Sequence, residues 1–478
     1  MKRIIICLSM LIAACTTPSY SGIDRPSTGG NTAEDMQIID YIDKRLETEY
    51  YWLDEVESKC NTFDRHVEWE KYLSNTLSRL ETNIDDGYVN DKGQRVFYSY
   101  IREIPSDTRA QVSGFGIDLH YTVLIIDKDN GYYGFIIENV YPGSPAAAEG
   151  VKRGDIITMV GDGYISPNNY INHFNSIQGN TATALRLTLS RQTTKETLAV
   201  EISKGAYEET PVVYSRVIDV DGFDRRIGYI VYTGFESAYD EDLLAVMQSF
   251  KDEGVGEVIL DLRCNGGGSV HSAVKLCSAL VPEKLEDGVL CTVQRNPRNK
   301  AHETESHFNL VNTGDHLTTL ENLTVICSDY SASASELVIM GLRGLDFPVK
   351  LIGSTTEGKN CGMDVTRRTI NTNIMLEYAP ITFMCFNAKG VGDWGEGILP
   401  DVDLTDGSNA YGVSDKHYPL PRADWGDQEH DIALAVALAS VTGRGVTTTP
   451  DPELQSADAA ELTLDIPRPI EGIRNYVE

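Results

Sequence analysis

The apolar residues of this chain change their period twice, and that succession limits what it can fold into. Over residues 32–102 they recur at three- and four-residue steps: Ile38, Ile39, Ile42, Leu46 and Tyr50, then Trp69, Tyr72, Leu73, Leu77 and Leu80. One face of a helix has that spacing. Tyr50, Tyr51 and Trp52 fall on the same pattern and read as core aromatics rather than a ligand box. Gly87 and Gly93 break it before a short strand at 96–101. From about 106 to 205 the pattern becomes strand-like, with strands at 116–121, 134–140, 156–160, 185–189 and 198–202 and a short helix at 144–149. From 206 to 446 strands and helices alternate. Strands at 227–232, 258–262, 323–327 and 349–352 are separated by helices at 240–251 and 335–342, and a last helix spans 431–440. The expectation is a multidomain α+β chain: an N-terminal helical domain at 33–105, a β-rich domain with short helices at 106–205, and an α/β layered core at 206–446. Residues 282–320 are polar and poor in pattern and read as a long loop or cap insertion. Residues 447–478, rich in proline and acids, read as a loosely attached tail.

A chain of 478 residues with a formal net charge of −30 is too long for one core. Its charge disfavours nucleic acid and adhesion to anionic lipid, since both attract Lys and Arg. The first residues predict a targeting segment. Met1-Lys-Arg is positive, and the apolar run at 4–11 is too short to span a bilayer. Ile12-Ala-Ala-Cys15 looks like a bacterial lipobox, so 1–15 reads as a lipoprotein signal and Cys15 as the lipidated residue. An ordinary cleaved signal with an incidental cysteine is the plainer alternative. Residues 16–32, rich in Thr, Ser, Pro and Gly, suit a flexible tether. The expected location is the bacterial envelope, lipid-anchored and periplasm-facing. With Cys7 and Cys15 set aside, seven cysteines remain. Their scatter and odd number do not make a disulfide framework. No CxxC pair and no HExxH occurs, so neither metal nor cofactor is expected.

Three blocks carry chemistry. Ser331-Ala-Ser-Ala-Ser-Glu336 places small serines before an apolar helix. Gly353-Ser-Thr-Thr-Glu-Gly-Lys359 brings a lysine from a glycine-flanked turn after a short apolar strand. Asp261-Leu-Arg-Cys-Asn-Gly-Gly-Gly268 puts a triple-glycine turn after a buried strand. A serine nucleophile needs a base, and a buried lysine serves as one in a known variant of the serine-hydrolase arrangement. The lysine must be neutral. Its free pKa is about 10.4, and lowering that by about 3 costs about 4 kcal/mol, which burial supplies. A glycine turn exposes backbone amides of the kind that stabilise an oxyanion. The bland readings stand beside these. Ser333-Ala-Ser-Glu336 also fits a helix capping box. Cys264 and Cys361 are nucleophiles in principle but more often small buried apolar residues.

Together with Gly143-Ser-Pro-Ala-Ala-Ala-Glu-Gly-Val-Lys-Arg-Gly-Asp-Ile-Ile157, these blocks resemble the carboxyl-terminal processing peptidases, or tail-specific proteases. The likeness covers roughly residues 35–445. It implies a PDZ domain at 106–205 and a crotonase-like serine peptidase core at 206–446. Residue by residue, it implies Ser333 as nucleophile, with Ser331 and Ser335 as fallbacks, and Lys359 as general base. The oxyanion donors would be the amides of Gly267 or Gly268 with that of Ala334. Gly114-Phe115-Gly116-Ile117 would be the loop that binds a peptide's terminal carboxylate, beside a strand that pairs with the peptide. The chain departs from the family in three places. Gly266 replaces a proline. Met363 replaces a glutamine that orients the lysine. Gly344, with Asp346 nearby, replaces an aspartate. Glu336 or Thr356 would then orient the lysine, and Glu396 is structural. The expected function is an envelope-anchored serine endopeptidase acting on protein or peptide substrates through their C-terminal tails. Two alternatives are a catalytically silent PDZ peptide-binding scaffold and an esterase or amidase of the cell envelope.

Overall fold

The computed structural model describes residues 32–90, 93–104, 112–178, 182–314, 317, 320–371, 374–415, 418–446, 461–463 and 473–476. The signal, Cys15 and the tether up to residue 31 lie outside them.

The core is built on a six-stranded sheet in the order Val212–Ile218, Arg226–Tyr232, Val255–Asp261, Leu323–Cys327, Val349–Gly353, Val402–Asp403. The first pair is antiparallel and every later pair parallel. Successive side chains of a strand point to opposite faces, and the two faces bury separate cores. Ile230, Val258, Leu260, Val325 and Leu351 pack with the helices Asp240–Asp252, Val270–Leu280 and Ala334–Gly344. Tyr229, Val231, Ile259, Ile326 and Ile352 pack with Ile432–Thr442 on the other side. A parallel strand covered on both faces must be apolar throughout. Val255–Asp261 is accordingly buried along its whole length.

A second sheet runs Glu305–Asn309, Val289–Arg295, Ile381–Asn387, Cys361–Asn371, Ile374–Ala379, Tyr100–Ile104. It corrects two expectations. The stretch 282–320 is not a featureless loop, because its hairpin forms the edge of this sheet. Leu290, Cys291 and Val293 face the core, but the polar residues on the solvent side dilute the pattern. Nor is 33–105 a separate domain. Its helices Ala33–Glu49, Leu53–Lys59 and Trp69–Leu77 bury the predicted faces, yet they do so against Cys361, Met363, Val365, Leu376, Tyr378 and Ile381 of the second sheet. The strand Tyr100–Ile104 pairs with Ile374–Ala379. The helical region is therefore one wall of the second sheet.

Residues 112–203 form a compact β unit. Its main sheet orders Glu196–Ser203, Ala184–Arg191, Asp155–Val160, Tyr132–Val140 and Ile117–Asp127, around Phe115, Phe135, Phe174 and Leu189. The tail expectation also needs correction. Glu461–Thr463 pairs antiparallel with Leu124 to Thr122, and Ile473–Tyr476 pairs parallel with Gly362 to Val365. A three- or four-residue strand with no apolar run leaves little trace in sequence.

Candidate active site

Three loops leave the C-terminal ends of three neighbouring parallel strands and meet there. Open α/β sheets place their sites at such edges. The first loop follows Val255–Asp261. Arg263 is buried, and its guanidinium holds Asp261 and Asp431 at 2.6 Å each. Asp431 in turn caps Ile432–Thr442. This ion pair anchors the loop to the helix on the far face. Asn265, fully buried, is the hub of the turn. Its Nδ2 donates to Tyr232 O at 2.8 Å, and its Oδ1 accepts from Gly267 N at 2.9 Å. Its carbonyl accepts from Ala332 N at 3.1 Å and from Ser335 Oγ at 2.9 Å. Asn265 thus ties the glycine turn to the serine loop.

This geometry corrects the oxyanion assignment. The Gly267 amide is already spent on Asn265. Gly268 and Ala334 remain as candidate donors, and neither amide donates to another described residue. Gly268 sits at φ +135°, and a Cβ there would lie 2.3 Å from Phe235 O. Only glycine fits.

The second loop carries the serines, all three of them buried. Two are occupied structurally. Ser331 Oγ donates to Leu262 O at 2.8 Å and accepts from Ser328 N at 3.0 Å. Ser335 Oγ donates to Asn265 O. Ser333 Oγ meets no partner at hydrogen-bonding geometry among the described residues. Ser333 and Glu336 keep the order of a capping box, and Glu336 accepts from Ser333 N at 2.8 Å. A capping residue, however, takes extended backbone angles. Ser333 lies at φ 61°, ψ −109°, a conformation costly for any residue but glycine and concentrated at functional sites.

The third loop follows Val349–Gly353 and delivers Lys359, which is completely buried. Glu336 organises it. Its Oε2 accepts from both Ser333 N and Lys359 N at 2.8 Å, so these two nitrogens lie at most twice that distance apart. Its Oε1 accepts from Gly358 N at 2.7 Å and from Thr356 Oγ1 at 2.6 Å. Burial pushes the Glu336 carboxyl above its ordinary pKa, while these four donors pull it back. Thr356 Oγ1 also accepts from Ile398 N at 2.7 Å, and Glu357 N donates to Ser331 O at 3.1 Å. Gly358 sits at φ +96°, where a Cβ would lie 2.5 Å from Gly395 O. The 394–398 turn therefore braces the lysine loop. Glu396 itself is exposed on that turn.

Two residues near the lysine escape sequence reasoning. Lys359 Nζ lies 4.1 Å from the centroid of the Tyr98 ring, and Tyr98 OH donates to Glu357 Oε1 at 3.1 Å. Asp86 is buried and accepts from Tyr50 OH at 2.7 Å and from Ser99 N at 2.8 Å. Burial raises its pKa, and among the opposing influences is the charge of Lys359. Both residues come from the N-terminal region, more than 250 positions away in sequence, and no local pattern links them to the lysine.

The other candidates fall elsewhere. Met363 is a core residue of the N-terminal wall. Asp346 pairs with Lys389 on the surface. Gly344 packs against Asn387. Neither cysteine is poised as a thiolate. Burial pushes Cys361 up to about 12, and burial beside Glu138 pushes Cys264 well up.

The glycine loop of the β unit is held within that unit. Phe115 is buried, and its carbonyl accepts from Ala146 N at 3.0 Å. Gly116 O accepts from Tyr141 N at 3.0 Å. Ile117 opens the strand that leaves the loop, and Gly114 closes the short strand Val112–Gly114. The β unit touches the first of the three loops directly, since Cys264 Sγ donates to Glu138 Oε1 at 3.0 Å. Trp425 Nε1 donates to Asn139 Oδ1 at 3.0 Å, and the Arg153 guanidinium lies 3.7 Å from the Trp425 ring centroid.

Comparison with known proteins gives the following. The family model "Peptidase family S41" matches residues 226–404, and the model "PDZ domain" matches 136–191. The chain is 25% identical over 287 residues to carboxyl-terminal-processing peptidase 1, chloroplastic, of Arabidopsis thaliana, covering 59% of this chain and 55% of that protein. It is 22% identical over 404 residues to a probable CtpA-like serine protease of Staphylococcus aureus strain N315, covering 84% of this chain and 71% of that protein. Its fold is similar to the crystal structure of a putative S41 protease from Bacteroides fragilis, with a TM-score of 0.65, 20% identity, and coverage of 88% of this chain and 99% of the other.

Proposed function

This chain belongs to peptidase family S41 and carries a PDZ domain, and on that premise we propose that it is a serine endopeptidase working through a Ser333–Lys359 dyad. The observation that carries the dyad is the Glu336 carboxylate, which accepts from the backbone N–H of both Ser333 and Lys359. One buried carboxyl group thereby ties the backbone at the nucleophile to the backbone at the base. In this reading the neutral Lys359 amine takes the proton of Ser333 Oγ as it attacks the scissile carbonyl. Burial disfavours the charged ammonium and so supplies the base. The Gly268 and Ala334 amides receive the oxyanion. The lysinium then returns its proton to the leaving amine, and water resolves the acyl-enzyme by the same route.

The crotonase-like assignment of the core belongs to this proposal. It is supported by the parallel strands whose C-terminal ends carry all three loops. The PDZ domain would bind protein or peptide tails at Gly114–Ile117, and its Glu138 meets Cys264 of the glycine-turn loop. Anchoring through Cys15 to the bacterial envelope is the further expectation from Ile12-Ala-Ala-Cys15. Fluorophosphonate labelling of the purified chain tests the reading. Wild type takes one label, and Ser333→Ala takes none and loses about three or more orders of magnitude in kcat. Full proteolysis by the Ser333→Ala protein refutes it.

A further inference from the structure

Two described strands of the C-terminal region, Glu461–Thr463 and Ile473–Tyr476, lie on strand edges that a peptide substrate would need. The strand Ile117–Asp127 leaves the Gly114–Ile117 loop. One of its edges pairs with Tyr132–Val140 and the other with Glu461–Thr463. A tail whose carboxylate sits in that loop must run antiparallel to the strand that leaves it. Glu461–Thr463 runs that way, with Glu461 opposite Leu124 and Thr463 opposite Thr122. Its C-terminal end therefore points toward the loop.

Ten positions further on, at Ile473, the chain pairs a second time. The strand Cys361–Asn371 begins two residues after Lys359. One edge is taken along its length by Ile374–Ala379 and Ile381–Asn387, which run on from each other. The other edge, at Gly362 to Val365, carries Ile473–Tyr476 in parallel. This segment also lies beside helix Val270–Leu280, the helix that follows the glycine turn. The tail thus enters between the glycine turn's helix and the lysine strand.

We infer that the edge of Gly362–Val365 is a second peptide-docking site, beside the dyad, and that the chain's own strands Ile473–Tyr476 and Glu461–Thr463 occupy this site and the PDZ edge as an internal peptide that substrate must displace. Backbone pairing at a strand edge is indifferent to most side chains, and an unpaired edge invites any extended segment. A covalently attached segment has an effective concentration in the millimolar range, so short ladders of three and four residues suffice to hold it. The resident tail lowers the apparent affinity for a substrate by the fraction of molecules whose edges are open. This inference rests on the peptidase reading for its functional consequence, but the docking itself does not.

The test uses the full chain. Leu462→Pro/Thr463→Pro and Arg474→Pro/Asn475→Pro remove ladder donors from the two tail strands. On the Ser333→Ala background, which prevents self-trimming, amide exchange at residues 122–124 and 362–365 should speed up at least about tenfold in the proline variants. A labelled synthetic peptide of residues 459–478 should bind the four-proline variant about 10- to 100-fold tighter than the chain with its intact tail. With Ser333 restored, kcat/KM for a fluorogenic peptide should rise by a similar factor, and unlabelled 459–478 peptide should reverse the rise. Equal peptide binding and equal exchange with and without the prolines overturn the inference, whatever the activity. Altered binding and exchange without hydrolysis by any variant uphold the docking and refute the peptidase reading instead.

Discussion

Glu336 is where a single substitution separates positioning from chemistry. Its carboxylate is fully buried and satisfies four donors: the amides of Ser333, Gly358 and Lys359 and the hydroxyl of Thr356. Glu336→Ala strands three backbone N–H groups and a hydroxyl. Each buried group left unpaired costs about 1–3 kcal/mol. Water entering the vacated space recovers part of that sum, so the expected loss is about 3–5 kcal/mol of stability. Thr356 retains a partner in Ile398 N, which caps the damage at that end. The loops carrying Ser333 and Lys359 would no longer share an anchor, and a displacement of about 1 Å costs about 100-fold in rate. Glu336→Gln keeps one acceptor oxygen but turns an NH2 toward two donors, so it should fall between wild type and alanine. Peptide hydrolysis and fluorophosphonate labelling rates, with thermal denaturation on the same preparations, read the three proteins. The expected signature is a fall in kcat at nearly unchanged KM, because Glu336 touches no substrate. A folded Glu336→Ala protein with wild-type kcat would refute the clamp.

Other consequences follow from the same geometry. Arginine cannot give up its proton, so Lys359→Arg should be as inactive as Lys359→Ala, measured as labelling rate across pH 7–10; an active arginine variant excludes lysine as base. Ser331→Ala and Ser335→Ala should keep the label and lose stability instead, about 1–3 kcal/mol each, since their hydroxyls hold Leu262 O and Asn265 O; denaturant titration checks this. Burial pushes the Asp118 carboxyl from 3.8 up to about 6, so between those pH values the folded chain holds a proton that the unfolded chain has released. Stability should therefore fall as pH rises through that window, by at most about 3 kcal/mol and less because the side chain is partly exposed. Asp118→Asn should raise Tm at pH 7.5 and leave it unchanged near pH 3.5, and an equal shift at both refutes the assignment. Amidating a substrate's C-terminus should cost about 1.5–3 kcal/mol in kcat/KM if the Gly114–Ile117 amides bind the carboxylate; equal rates for acid and amide show that the PDZ domain does not read the tail.

What was legible in the sequence was whatever physics writes locally. A strand buried on both faces must be apolar at every position, so 258–262 was readable, and a helix packed on one face must repeat, so Ile38 to Tyr50 was readable too. Ser333 and Lys359 stand out as candidates because a small-residue run and a glycine-flanked turn are local demands of the backbone. The glycine at 358 is explained only by the Gly395 carbonyl it must pass. The failures share one cause. Gly267 was assigned a catalytic amide that Asn265 two residues earlier had already taken, and only the folded turn reveals that competition. Tyr98 and Asp86 reach the lysine across more than 250 positions, through a wall that helical periodicity marked as a domain of its own. The Met363 departure is resolved by the same wall. In a site where a glutamine would orient the lysine from the adjacent strand, this chain spends that position on its N-terminal core. In the proposed dyad, Glu336 from the serine helix holds the backbone of the lysine loop, and the Tyr98 ring lies 4.1 Å from Lys359 Nζ. Lys359 is then held by the helix that begins at Ser333 and by the N-terminal wall that closes the core. A disturbance of the N-terminal helices should consequently reach the lysine before it reaches the serine.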